Sequence, residues 1–193
     1  MNENVLKAAL AISLVAVMAL AAAILIDSGE DTSDSIDRNS GLNSIVFVDE
    51  SYEPTGTWFK GSAAVYEENG DLWVRFTGNY QIGAEDSLGV KIFSHDEFDF
   101  TDLQTTYQGK VEHKSDIRND DDINGHTCTI SVGEDLYGKT GGGFGTLTAV
   151  AKYHGPSDAD EFTFTVVTGS QKSADGSSVI PGNETDYKIS VFR

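Results

Sequence analysis

The chain has 193 residues, with 31 Asp and Glu against 13 Lys and Arg and a formal net charge of −18 at pH 7. Charge of that sign repels phosphate backbones and anionic headgroups, which excludes nucleic acid and anionic lipid as partners of the acidic part. A single cysteine, Cys128, excludes an intramolecular disulfide, so an exported domain of this sequence is held by its core, by a metal or by assembly.

The chain opens on a short polar lead, Met1–Lys7, and continues as an apolar run, Ala8–Ile26, broken only by Ser13. Asp27-Ser28-Gly29-Glu30-Asp31 then ends the run with charge. As a helix at ~1.5 Å per residue, Ala8–Ile26 spans roughly 28 Å, close to the hydrocarbon thickness of a bilayer. That predicts export or membrane tethering of whatever follows. Glu3 and Lys7 cancel, so the whole of the negative charge falls on the exported part. Such a surface also suits a high-salt habitat, and more commonly it serves solubility alone.

Three readings of residues 1–26 stay open. Ala19 and Ala21, or Ala21 and Ala23, fit the −3 and −1 positions of a cleaved secretory signal. Ile24-Leu25-Ile26 carries the apolar run past them to membrane length, which fits an uncleaved anchor. Lys7-Ala8 directly before a pure apolar helix resembles the class III signal of archaeal type IV pilins, in which cleavage follows a charged and a small residue. The resemblance covers about 20 residues. It implies a filament subunit whose helix packs among copies of itself.

Residues 27–43 are polar, rich in Ser, Asp and Gly and without period, and they read as a flexible stalk. Residues 44–193 then read as one all-β domain. Ser44–Asp49 is the first predicted strand. Ser62–Glu67 and Asp71–Tyr80 follow as a hairpin turning at Asn69-Gly70, a pair that tolerates the positive φ angles of a type I′ turn. Leu72, Val74 and Phe76 share one face of the second strand, with Trp73, Arg75 and Thr77 on the other. Ser87–Phe93, Leu103–His113, Thr127–Val132, Thr146–Tyr153, Glu161–Thr168 and Tyr187–Phe192 complete the series. No helical period appears after Ile26, and Pro54, Pro156 and Pro181 are expected outside strand interiors. The expected architecture is a single antiparallel β-sandwich or barrel of about eight or nine strands behind an N-terminal hydrophobic helix.

Two stretches mimic chemical motifs. Asp120-Asp121-Asp122-Ile123-Asn124-Gly125-His126 contains the opening half of a calcium loop, with oxygens at alternate positions and Gly at the sixth. Asp120, Asp122, Asn124 and the carbonyl of His126 are its candidate ligands, although Ser131 stands where a bidentate Glu closes such a loop. Gly133-Glu134-Asp135-Leu136-Tyr137-Gly138-Lys139-Thr140 matches the phosphate-loop pattern, but the following Gly141-Gly142-Gly143 opposes the helix that pattern needs. It reads as a glycine-rich loop between strands.

The four histidines, His95, His113, His126 and His154, show no zinc-ligand spacing, and no G-x-S-x-G elbow supports a catalytic serine. Cys128 alternates with Ile130 and Val132 and is expected inside the core. Asn183-Glu184-Thr185 is a glycosylation sequon expected in a loop. Trp58, Phe59, Tyr66, Trp73 and Tyr80 form either a sugar-stacking face or core and cross-strand pairs, the latter being the commoner arrangement.

These features lead to an exported, membrane-tethered cell-surface protein with a structural or binding role, not an enzyme, with calcium as its one candidate cofactor. Its contacts are with the membrane, or with copies of itself through residues 8–26. A pilin-like filament subunit is the alternative and an extracellular hydrolase the third reading.

Overall fold

A computed structural model describes residues 41–94, 97–109, 115–118, 128–133, 142–174, 176 and 178–192. The predicted N-terminal helix and all of the stalk up to residue 40 lie outside the described residues. What is described is all-β, in two antiparallel sheets.

The first sheet runs β1 (Gly41–Tyr52), β2 (Thr57–Glu68), β3 (Asp71–Ile82), β9 (Gly143–Tyr153), β5 (Phe98–Thr105), with the short β6 (Gln108–Gly109) also pairing with β9. The second runs β11 (Val179–Ser190), β10 (Glu161–Lys172), β4 (Val90–Ser94), β8 (Cys128–Val132), β7 (Ser115–Arg118). Alternation explains most of these. In β9, Leu147, Ala149, Ala151 and Tyr153 are buried while the residues between them are only half-buried. The β2–β3 turn has φ 54° at Asn69 and 83° at Gly70, the two positive values a type I′ turn requires.

Leu72, Val74 and Phe76 do share the inward face of β3, and one core lies between the sheets. Edge-to-face ring pairs tie the layers together. Phe76 on β3 meets Phe164 on β10 at 4.9 Å, and Phe98 on β5 meets Phe162 on β10 at 4.9 Å. A void among Val74, Phe76, Phe98 and Phe162 measures about 10 Å³, at the limit for one water, so side chains fill the core at this point.

Among the described residues no backbone ladder joins the two sheets, and side chains close one seam between them. Asn43 on β1 donates from Nδ2 to the carbonyl of Phe192 and accepts that residue's N–H at 2.7 Å. The Ser44 hydroxyl donates to the Ser190 carbonyl. Further along, Glu50 is buried and accepts from Asn183 Nδ2 and the Tyr187 hydroxyl, both on β11. Tyr52 ends the seam by lying against Gly169 and Gly182. Gly169 has φ +72° and its N–H leaves the ladder to reach the carbonyl of Gly89 at 2.8 Å, a conformation that a side chain would oppose.

Several sequence expectations need correction. Eleven strands stand among the described residues, where eight or nine were expected. The run Leu103–His113 splits between β5 and β6, and β7 (Ser-Asp-Ile-Arg) is too short and polar to stand out by pattern. β1 starts at Gly41, before the first apolar residue pair. Pro181 sits inside β11, which is an edge strand of its ladder and has room for a residue without an N–H. The sequon is therefore in a strand, not a loop, and the Asn183 amide is committed to Glu50.

Candidate interaction surface

The registers of the first sheet place its outward side chains in rows across β1, β2, β3, β9 and β5. One row reads Leu42, Tyr66, Trp73, Lys152, Asp99; the next reads Ile45, Ala64, Arg75, Val150, Asp102. A third reads Phe47, Ser62, Thr77, Thr148, Gln104. The apolar residues gather on the β1 side, and they are open to solvent. Leu42 is 68% exposed, Phe47 70% and Ile45 48%.

Cations border this patch. The Arg75 guanidinium lies over the Tyr66 ring at 5.2 Å, and Lys152 lies over Trp73 at 5.5 Å. Lys152 also pairs with Asp71 at 2.6 Å, and Lys60 with Asp49 at 2.8 Å. Arg75 has no carboxylate partner among the described residues. A cation thus already occupies a face of each of the rings Tyr66 and Trp73, which competes with sugar stacking there. Of the other aromatics in question, Phe59 and Tyr80 are buried in the core, and Trp58 is half-buried on β2. Tyr80 donates to the Thr106 carbonyl at 2.8 Å, and burial pushes its hydroxyl up to a pKa of about 12, with Tyr107 adding to the shift.

An open groove of about 450 Å³ lies at the hairpin end of the domain, lined by Asn43, Glu67, Asp71, His154, Ser157 and Phe192 among others. His154 Nε2 stands 3.6 Å from Asp99, and Ser157 shares the groove. A hydrolytic triad needs a buried, orienting carboxylate, whereas Asp99 is largely exposed. The carboxylate beside His154 is thus solvated.

Two carboxylates buried elsewhere serve the fold. Asp86 is fully buried and accepts from the Thr57 hydroxyl, from Ser170 Oγ at 2.6 Å and from the Leu88 N–H at 3.0 Å. Thr57 in turn accepts the Gly83 N–H at 3.0 Å. Uncharged donors thus hold the 83–89 crossing, by which the chain leaves β3 of one sheet for β4 of the other. Glu50 does the same for the β1–β11 seam, where burial, followed by the hydrogen bond to Glu50, pushes the Tyr187 hydroxyl up to a pKa of about 12.

The candidate calcium ligands Asp120, Asp122, Asn124 and His126 lie outside the described residues, as do His95, His113 and the side chain of Cys128. Among the described residues no cluster of three or more His, Cys, Asp or Glu is arranged to hold a metal ion. The phosphate-loop look-alike is preceded by β8 and followed from Gly143 by β9, so a strand stands where nucleotide binding needs a helix. Sequence reasoning missed Asp86, Glu50 and Arg75. The side-chain partners of Asp86 and Glu50 are 29 to 137 residues away, and Arg75 reaches Tyr66 across a strand pair, so no run of neighbouring residues announces them. Compared with known proteins, no family model matches the chain, and no curated protein resembles it closely enough to serve as a relative.

Proposed function

We propose that this chain is an exported cell-surface protein, tethered through residues 8–26, whose β-domain does structural or binding work without catalysis. The observation that carries this reading is the open outer face of the first sheet, where Leu42, Ile45 and Phe47 stand exposed beside Tyr66, Trp73 and Arg75. Exposed apolar side chains next to aromatic and Arg anchors are the composition of a contact surface. The acidic remainder keeps the domain soluble and repels polyanions.

The test is the intact mass of the native protein with its N-terminal residue identified, together with protease shaving of whole cells. Retention of Met1 and the apolar run, with the β-domain removed by shaving, is the expected result. A chain that begins at Ala22 or Ile24 is secreted without an anchor, and a domain protected from external protease contradicts the reading altogether.

Lys7-Ala8 before the apolar run favours a second reading, a pilin-like filament subunit, for which the native chain begins at Ala9. Calcium held by Asp120, Asp122, Asn124 and the His126 carbonyl would stiffen the domain in either case. Chelator is then expected to lower the melting temperature, and added Ca²⁺ to restore it. An unchanged melting temperature at millimolar Ca²⁺ removes the metal from the account.

A further inference from the structure

The outer side of β11, on the opposite face of the domain, presents Ile180, Glu184, Asp186 and Lys188, which share one parity along the strand. Ile180 is 41% exposed, and Glu184 is exposed with no partner among the described residues. This is an apolar residue and a free carboxylate on one face. On the other, the first sheet offers apolar Phe47 and the Arg75 guanidinium, which stacks on Tyr66 and has no carboxylate partner among the described residues.

The spacings agree as well. Phe47 and Arg75 lie two strands and one row apart, about 12 Å, and Ile180 and Glu184 lie four residues apart along one strand, about 13 Å. We propose that the outer face of the first sheet docks on the β11 face of a second copy of this chain, Phe47 against Ile180 and Arg75 against Glu184. This rests on the reading of the domain as one displayed at a surface, and it names the partner.

Two different faces pointing away from each other make a heterologous contact, which repeats without closing. A linear array or surface layer is the product. The net charge of −18 opposes association at long range, and salt screens that repulsion within about 8 Å at physiological ionic strength, while the Arg75–Glu184 contact is made at short range. Association therefore strengthens as salt is raised.

The test is sedimentation of the full-length chain in detergent over a range of concentrations, for the native sequence and for Phe47→Asp, Arg75→Glu, Glu184→Arg and the double variant Arg75→Glu/Glu184→Arg. The native chain is expected to grow in mass with concentration and without a plateau. Each single variant is expected to weaken association at least about tenfold, and the double variant to recover most of the loss. Residues 8–26 are unchanged throughout, so helix self-association cannot produce that pattern of loss and rescue. Unshifted melting temperatures show that the variants fold. A native chain that stays single or stops at a dimer overturns the proposal, as does a double variant no better than Arg75→Glu. Protease shaving reads surface display independently, so the two failures are distinguishable.

Discussion

Strands β1 and β4 are built from similar sequence and meet opposite fates. Ile45-Val46-Phe47-Val48 and Val90-Lys91-Ile92-Phe93 both lack the clean alternation of a half-buried strand. In β4, every residue from Val90 to Ser94 is buried, and Phe93, which points away from the core between the sheets, is 3% exposed. Val167, Thr129 and Ser131 on that same outer side are buried with it. In β1 only the inward parity is covered, and Phe47 stands open. A run apolar on both faces asks for cover on both faces. The chain itself supplies it at β4 of the second sheet, whereas on the first sheet it leaves Phe47 open.

The contrast can be broken by one substitution made twice. Phe93→Ala is expected to cost about 3–5 kcal/mol in urea unfolding, because it empties a packed site. Phe47→Ala removes the same atoms from solvent and is expected to stay within about 0.5 kcal/mol for the unassociated chain. Similar losses at the two sites would mean that the two outer faces are equivalent. Next in size is Asp86→Ala, which strips the acceptor from Thr57, Ser170 and the Leu88 N–H at the crossing between sheets; a loss of about 2–4 kcal/mol with an unchanged m-value is expected.

Smaller effects sharpen the boundary of the open face. Glu50→Gln leaves one acceptor oxygen but turns an amide toward either Asn183 or Tyr187, and about 1 kcal/mol is expected from chemical unfolding. A separate effect is that of alkaline pH. Tyr80 and Tyr187 hold their protons to about pH 12 when folded, against 10.0 ordinarily, so between those values the unfolded chain releases protons that the folded chain keeps. Stability is expected to fall as pH rises through that window and to be insensitive to these groups below it. Melting temperatures at pH 9, 10 and 11 check this, and replacing Tyr187 with Phe should flatten part of the slope.

Much of the fold was legible because alternation and turn chemistry are local. The Asn69-Gly70 hairpin, the inward face of β3 and the strands β9 and β10 follow from residues a few positions apart, whereas β11, expected only from Tyr187, begins at Val179. β7 was not legible, since Ser-Asp-Ile-Arg forms a strand only because β8 lies beside it. The fates of β1 and β4 were equally hidden, as an apolar run states that a face needs cover but not what covers it. The patch itself joins Leu42, Tyr66, Trp73 and Lys152 through three successive registers, of which only Tyr66–Trp73 follows from the Asn69-Gly70 turn.

The claim that the open face of the first sheet receives β11 of the next copy is tested most directly by mixed-chain crosslinking. Full-length chains carrying Phe47→Cys and chains carrying Ile180→Cys are oxidised separately and together, with native Cys128 alone setting the background. The account predicts a strong interchain disulfide only in the mixture, extending no further than dimers because each chain carries one of the two new thiols. Equal crosslinking in either single population, or none above background in the mixture, would contradict it.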